Sequence, residues 1–189
     1  MRRRYLVGVT GASGGVLALE TVRLLRACDV EVHLVISNSG RRTVCHEVGE
    51  AGLSTLIGMA HHVHAIDNIA APVASGSFPL DGMAIVPCSM RTLSAVAHGA
   101  SDNLLTRAAD VTLKERRRLV ILPREAPLHE IHLAAMLTLA RMGVIIAPPV
   151  PPFYTRPSSI EDMVREIAAR TVGWLGCDPG AAMSRWTGG

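Results

Sequence analysis

Short apolar runs and longer amphipathic segments alternate along the chain. The apolar runs cover residues 5–10, 31–36, 83–86, 119–122 and 144–147, so each is four to six residues long. Runs of this length, rich in Val, Ile and Leu, are typical of strands that are buried on both faces of a parallel sheet. We therefore predict five strands at these positions.

The segments between the apolar runs carry helical patterns. From Val16 to Ala27, apolar residues recur at roughly the spacing of one helix face. Further helices are predicted at residues 41–50, 92–97, 104–116 and 131–142. A last helix is predicted after the prolines of residues 148–152, with Ser158 and Glu161 as its capping box. Residues 72–79, rich in Pro, Ser and Gly, are expected to form a long loop.

Strands that alternate with helices predict an α/β fold with a parallel sheet. We expect a doubly wound, mainly parallel sheet with helices on both of its faces. A chain of 189 residues is short enough for a single core, so we expect one domain over residues 1–189.

The composition excludes several classes of function. The chain is 49% hydrophobic with a mean hydropathy of +0.30, which favours a homo-oligomer that buries part of this surface. The net charge of +3 is small and aromatic residues make up only 3%, so we expect no nucleic-acid binding. No apolar run reaches the roughly 18 residues that are needed to span a membrane, so we predict no membrane-spanning segment. Since the four cysteines lack metal-ligand spacing and no signal peptide is evident, we expect a cytoplasmic protein with reduced thiols.

The segment TGASG, residues 10–14, follows the first predicted strand. Its small residues allow backbone amides and the Ser13 hydroxyl to contact an anion at a helix N-terminus. The dinucleotide pattern G-x-G-x-x-G and the P-loop lysine are absent, and Ser37 stands where a ribose-binding carboxylate would follow the second strand. A mononucleotide such as FMN fits better, while a plain glycine turn without a ligand is the alternative.

Other polar residues follow the remaining strands. Residues 88–92 come after the third strand, and Arg124 and Glu125 come after the fourth, so both segments meet the glycine loop at one edge of a parallel sheet. Arg107 and Lys114 are seven residues apart and share one helix face. By contrast, residues 116–118 are interpreted as a solvated helix end.

One cysteine and a cluster of three histidines are expected to have no chemical role. Cys88 is expected to be a small buried side chain rather than a reactive thiolate. His61, His62 and His64 have no carboxylate or cysteine beside them in the sequence, so we expect them to be solvated and predict no metal site.

Six motifs together resemble the flavin prenyltransferases of the UbiX type. They are TGASG at 10–14, PCSMRTLS at 87–94, RAADV at 107–111, LKERR at 113–117, PREAPL at 123–128 and FY at 153–154. The resemblance implies a Rossmann-like flavoprotein that joins the dimethylallyl group of dimethylallyl phosphate to N5 and C6 of reduced FMN. It also implies a homododecamer that supplies prenylated FMN to a UbiD-type decarboxylase.

The resemblance assigns roles to individual residues. FMN would contact Gly11, Ala12, Ser13, Ser37, Ser89, Met90, Arg91, Thr92 and Arg124. The prenyl phosphate would lie among Arg107, Lys114, Arg124, Glu125, Tyr154 and Arg170. The catalytic residues would be Ser13, Glu47, Lys114 and Glu125. Fixed cations suit a departing phosphate, and the chain has no Asp-Asp pair for magnesium, so we expect a metal-independent transfer.

The sequence departs from the family at Gly15, Leu17 and Arg118, where relatives usually carry Ala, Tyr and Pro. None of the three has an assigned role. Two alternative functions are an FMN-dependent decarboxylase of cysteine-type substrates and a noncatalytic FMN-binding subunit of a decarboxylase. The first usually carries a Pro-Ala-Ser-Ala-Asn-Thr-like segment, which differs from the sequence at residues 87–92.

Overall fold

The computed structural model describes residues 2–186 and residue 188. Its sheet has six strands: β1 (Arg4–Val9), β2 (Glu31–Ile36), β3 (His62–His64), β4 (Gly82–Cys88), β5 (Arg118–Pro123) and β6 (Ile145–Ile146). The strand order is β3-β2-β1-β4-β5-β6, and every neighbouring pair is parallel. The predicted α/β class with a parallel, doubly wound sheet is confirmed.

The helices are α1 (Gly15–Ala27), α2 (Asn38–Met59), α3 (Met90–Ala97), α4 (Leu104–Lys114), α5 (Glu130–Arg141) and α6 (Ile160–Leu175). Alternate side chains of each strand point to opposite faces, so Tyr5 and Val7 enter one core while Leu6 enters the other. The first core lies beneath α1, α2 and α6, and the second lies beneath α3, α4 and α5. Helices therefore cover both faces of the sheet.

The sheet changes direction between β1 and β4. From β1 the chain adds β2 and β3 on one side, then returns to place β4, β5 and β6 on the other side. In sheets of this kind, ligands bind in the crevice beyond the carboxyl ends of the strands at this switch point. The glycine loop after β1 and the segment after β4 are therefore neighbours at the expected binding edge.

Thr10 connects these two segments. Its amide donates to the Pro87 carbonyl at 3.2 Å, and its hydroxyl donates to the same oxygen at 2.8 Å. The same hydroxyl oxygen accepts a hydrogen bond from the Ser89 amide at 2.7 Å. Because Thr10 is only 2% exposed, these bonds are shielded from water and fix both loops in position.

Several local predictions need correction. His62–His64 is an outermost strand that is absent from the five predicted strands, since a single apolar residue, Val63, between two histidines gave no apolar run. α2 extends well beyond the predicted residues 41–50, and Gly49 interrupts it with a φ of 73°. The predicted capping box is wrong by one position, because Ser159 caps α6 and accepts from the Asp162 amide at 3.1 Å.

Among the described residues, no helix is both long and apolar enough to cross a membrane.

Candidate active site

Three helices begin at the carboxyl edge of the sheet, around the switch point. Ser37 caps α2 by accepting from the Gly40 amide at 3.0 Å, and Ser89 caps α3 by accepting from the Thr92 amide at 3.4 Å. The N-cap residue of α1 is Gly14, which has no side chain to cap the helix. Helix N-termini carry partial positive charge and free amides, so this crevice favours an anion such as a phosphate.

The glycine loop approaches α2 closely. A Cβ atom on Gly11 would lie 2.6 Å from Cβ of Ser39, so no larger residue fits there without displacing the start of α2. Gly14 has a φ of 121°, which favours glycine. Ala12 is buried, whereas Ser13 is exposed. The loop therefore forms a backbone cradle with one free hydroxyl, and this cradle fits the single phosphate of FMN.

Glu47 lies on this loop although it belongs to α2. Its carboxylate accepts from the Gly14 amide at 3.0 and 3.1 Å and from the Gly15 amide at 2.6 Å. The carboxylate thus occupies the N-terminus of α1, where a negative charge is stabilised by the helix dipole. The sequence alone gave Glu47 little context, since the contact spans 32 to 33 positions of the chain.

The segment after β4 presents mainly its backbone to the crevice. Met90 is 9% exposed and packs into the second core. Arg91 pairs with Asp102 at 2.7 Å, and this guanidinium lowers the pKa of the Asp102 carboxyl. Cys88 is fully buried, and burial raises the pKa of its thiol, in agreement with the predicted packing role.

Arg124 and Glu125 follow β5 at the same edge. The Arg124 amide donates to the Cys88 carbonyl at 3.1 Å, which holds the start of this loop beside β4. Both side chains are exposed. Among the described residues, the Glu125 carboxylate accepts one hydrogen bond, from the neighbouring Ala126 amide at 3.0 Å. A cation and a carboxylate therefore face solvent at the same edge of the sheet, beside the segment that leads into α3.

Lys114 does not reach this crevice within one chain. The Thr112 hydroxyl contacts Met83 near the start of β4, so the C-terminal end of α4 lies at the amino edge of the sheet. Lys114 follows Thr112 and pairs with Glu115. Arg124 lies beyond the far end of β5, whose six residues span about 20 Å. Lys114 and Arg124 are therefore on opposite edges of the sheet.

The loop of residues 72–79 packs against both α4 cations. Arg107 donates to the Ala74 carbonyl at 3.3 Å and pairs with Asp110 at 2.9 Å. A Cβ atom on Gly76 would lie 2.7 Å from Nζ of Lys114. The predicted shared face of Arg107 and Lys114 is thus occupied by a loop of the same chain.

Tyr154 and Arg170 lie together in a third part of the structure. They line a groove of about 470 Å³ together with Trp174, Trp186 and neighbouring residues. The Tyr154 ring meets the Trp186 ring edge-on at 5.7 Å, and the Arg170 guanidinium lies 5.4 Å from the centre of the Trp174 ring. The predicted prenyl-phosphate residues are therefore divided among three places in one chain.

The doubly wound parallel sheet, with an anion-binding cradle at its switch point and no dinucleotide pattern, defines a Rossmann-like flavoprotein. The Flavoprotein family matches residues 1–172. The flavin prenyltransferase UbiX of Neisseria meningitidis is 47% identical over 178 residues, which cover 94% of each chain.

Two solved structures are similar over nearly the whole chain. AnUbiX (PadA1), crystallised with FMN and dimethylallyl pyrophosphate, has a TM-score of 0.95 and 46% identity, with 100% of this chain and 99% of that chain covered. A dodecameric FMN-dependent UbiX-like decarboxylase from Escherichia coli O157:H7 has a TM-score of 0.93 and 41% identity, with 98% and 100% covered. The chain belongs to the UbiX family of flavin prenyltransferases, as its motifs predicted.

Proposed function

We propose that this protein transfers the dimethylallyl group of dimethylallyl phosphate to N5 and C6 of reduced FMN and releases inorganic phosphate. The prenylated FMN then serves a UbiD-type decarboxylase. The observation that carries the proposal is the cradle of helix N-termini at the switch point, in a chain 47% identical to a flavin prenyltransferase over almost its full length. The single FMN-binding domain comprises residues 1–189.

The residues at the carboxyl edge would hold FMN. Backbone amides of Gly11, Ala12 and Ser13 suit its phosphate, and the capped N-termini at Ser37 and Ser89 add further positive potential. Met90 and Arg91 would contribute backbone contacts, because their side chains are engaged elsewhere. Thr92 and Arg124 complete this set. When bound in its reduced form, FMN supplies the electron-rich ring that accepts the prenyl group.

The chain's carboxylates would move the protons of the reaction. Glu47 is fixed by two backbone amides beside Ser13, so its carboxylate has a defined position from which to accept a proton. Glu125 is exposed at the same edge, so its carboxyl group can pass a proton from solvent to the departing phosphate. Ser13 can take part in either proton transfer, because its hydroxyl can both donate and accept a hydrogen bond.

The complete site would form between subunits. Lys114 lies at the opposite edge of the sheet from Arg124, so it would act on the prenyl phosphate bound by a neighbouring copy, together with Arg107, Tyr154 and Arg170. α5 presents Ile131, Leu133 and Leu137 at 66%, 53% and 52% exposure, a surface that another subunit can cover. We therefore propose a homododecamer, the assembly of the similar Escherichia coli protein.

The four cysteines are free thiols, two of them fully or almost fully buried, which is the usual state in a reducing compartment. We place the protein in the cytoplasm on this ground.

Phosphate release tests the proposed function. Under strict anaerobiosis, the protein should release inorganic phosphate from dimethylallyl phosphate only when reduced FMN is present. Lys114→Ala should bind FMN normally but lose most of this release, because a fixed cation stabilises the leaving group. A noncatalytic FMN-binding subunit would bind flavin and release no phosphate in either form.

A further inference from the structure

Four ionisable side chains meet on the last two strands at one border of the sheet. Glu31 and His33 lie on β2, two residues apart, so both point to the same face. His62 and His64 lie on the neighbouring strand β3, and the register pairs His33 with His62. Parallel pairing thus brings together side chains that are about 30 residues apart in the sequence.

Three of these side chains converge on one point. Oε1 of Glu31 lies 3.1 Å from Nε2 of His33 and 3.3 Å from Nε2 of His62. One ligand atom from each residue lies within 4.8 Å of the other two. Ligands of a tetrahedral Zn²⁺ ion lie about 2.1 Å from the metal and hence about 3.4 Å from each other. The cluster therefore has nearly the spacing of a metal site.

The neighbouring residues hold the three side chains in this arrangement. Nδ1 of His33 lies 3.0 Å from Nε2 of His64, a contact that directs the opposite nitrogen of His33 toward Glu31. Nε of Arg4 donates to Oε2 of Glu31 at 3.2 Å and leaves Oε1 facing the histidines. The side chain of His33 is 4% exposed, whereas that of His62 is 54% exposed. An ion can therefore enter from the His62 side and retain water there.

This cluster is separate from the proposed flavin site. Glu31 begins β2 and Ser37 follows its last residue, so the two sites lie about 20 Å apart, at opposite ends of one strand. The sequence predicted that His61, His62 and His64 are solvated and lack a carboxylate partner. His62 is exposed as expected, but the adjacent strand supplies it with a carboxylate partner, Glu31, and brings His33 against His64.

We propose that Glu31, His33 and His62 bind one late first-row divalent cation, with Zn²⁺ as the ion that fits best. Two imidazole nitrogens, one carboxylate oxygen and a water form a common tetrahedral set for zinc. The ion would join the outermost strand β3 to β2. It takes no part in the prenyl transfer, which occurs at the other edge of the sheet.

The test is a Zn²⁺ titration of tag-free protein against a chromophoric chelator. The wild type should bind one Zn²⁺ per chain, and His62→Asn should weaken binding by at least about tenfold. His62 is largely exposed, so this variant should fold normally. His98→Asn is the matched control, because His98 is an exposed histidine whose ring makes one hydrogen-bond contact within the described part of the chain, with the Ser94 carbonyl of its own helix. The proposal would be overturned if the wild type and His62→Asn bound Zn²⁺ with equal affinity, or if the wild type did not compete with the chelator for Zn²⁺.

The visible absorption of bound Co²⁺ gives a second test of the proposed metal site. Co²⁺ bound to the wild type should show the visible absorption of a four-coordinate site, and Glu31→Gln should abolish it. His64→Asn should retain the absorption with weaker affinity, since His64 orients a ligand without binding the ion. FMN binding should be unchanged in all these variants, and this separates the metal site from the proposed enzyme activity. Absorption that persists in Glu31→Gln would contradict the assigned ligand set.

Discussion

Oε2 of Glu47 accepts a hydrogen bond from the Gly15 amide at 2.6 Å and thereby joins α2 to the first turn of α1. The approach is close, because a Cβ atom on Gly15 would lie 3.2 Å from this oxygen and 3.0 Å from Cγ2 of Val44. The contact places a carboxylate on the loop that carries Ser13. It also shows that this helix N-terminus stabilises an anion.

Glu47→Gln tests the role of this carboxylate. The amide side chain retains an oxygen that can accept from the Gly15 amide but carries no charge and is a much weaker base. We expect the protein to fold and bind FMN, while the rate of prenylation falls by about 100-fold or more, the usual contribution of general acid–base catalysis. Anaerobic single-turnover flavin spectra measure this rate. Glu50→Gln, on the same helix, is the control, and a wild-type rate in Glu47→Gln would exclude the proposed role.

Gly11→Ala tests the close approach of the glycine loop to α2. The new methyl group would lie 2.6 Å from Cβ of Ser39, so either the loop or the start of α2 must move. We expect FMN affinity to fall by at least about tenfold, because the cradle depends on backbone positions. Gly58→Ala is the matched control, since a Cβ atom there meets nothing within 4 Å. That change should leave FMN binding unaltered, and unaltered binding in Gly11→Ala as well would contradict the cradle.

Thr10→Val removes one hydroxyl and preserves the shape of the side chain. The Ser89 amide loses its partner at 2.7 Å, and the Pro87 carbonyl loses the hydroxyl donor at 2.8 Å. We expect the free energy of unfolding to fall by about 1–3 kcal/mol, the cost of leaving buried polar groups unpaired. Chemical denaturation measures this change. Thr55→Val, at an exposed helix position, should change it by less than about 0.5 kcal/mol.

The buried thiol of Cys88 predicts a pattern of chemical labelling. Burial raises its pKa and blocks access, so the folded protein should not label Cys88 at pH 8, whereas the unfolded protein should. The raised pKa also affects stability. Above the ordinary thiol pKa the unfolded chain loses this proton first, so the contribution of Cys88 to stability should decline as pH rises further. Peptide mapping after alkylation checks the pattern, and rapid labelling of Cys88 in the folded state would contradict its burial.

The separation of Lys114 from Glu125 predicts complementation between subunits. Lys114→Ala and Glu125→Gln proteins should each be nearly inactive. If one site takes Glu125 from one chain and Lys114 from another, co-expressed mixed oligomers should recover about a quarter of wild-type activity by random assembly. A chain carrying both substitutions, co-expressed with Lys114→Ala, is the control and should recover none. Failure of the first mixture to regain activity would place both residues in one chain's site.

The sequence predicted the regular parts of the fold well, because buried parallel strands are continuous apolar runs. It missed β3, since His62–His64 is a short border strand with two exposed positions and no apolar run. It also placed the cap of α6 one residue early, at Ser158. Adjacent serines are equivalent in the pattern, and only backbone geometry shows that Ser159 accepts from Asp162.

Candidate site residues could be proposed from the sequence, but their arrangement could not be predicted. The motifs identified Lys114 and Arg124 together, yet the length of β5 separates them within a chain. The contact of Glu47 with Gly15 and the pairing of His33 with His62 are both non-local. Such contacts follow from strand order and helix packing, which the spacing of residues in one sequence does not encode.

The mass of the flavin after anaerobic turnover tests the central claim most directly. With reduced FMN and dimethylallyl phosphate, the recovered flavin should gain one five-carbon unit, with one phosphate released for each unit added. Flavin that binds to the protein but is recovered with the mass of FMN would contradict the account.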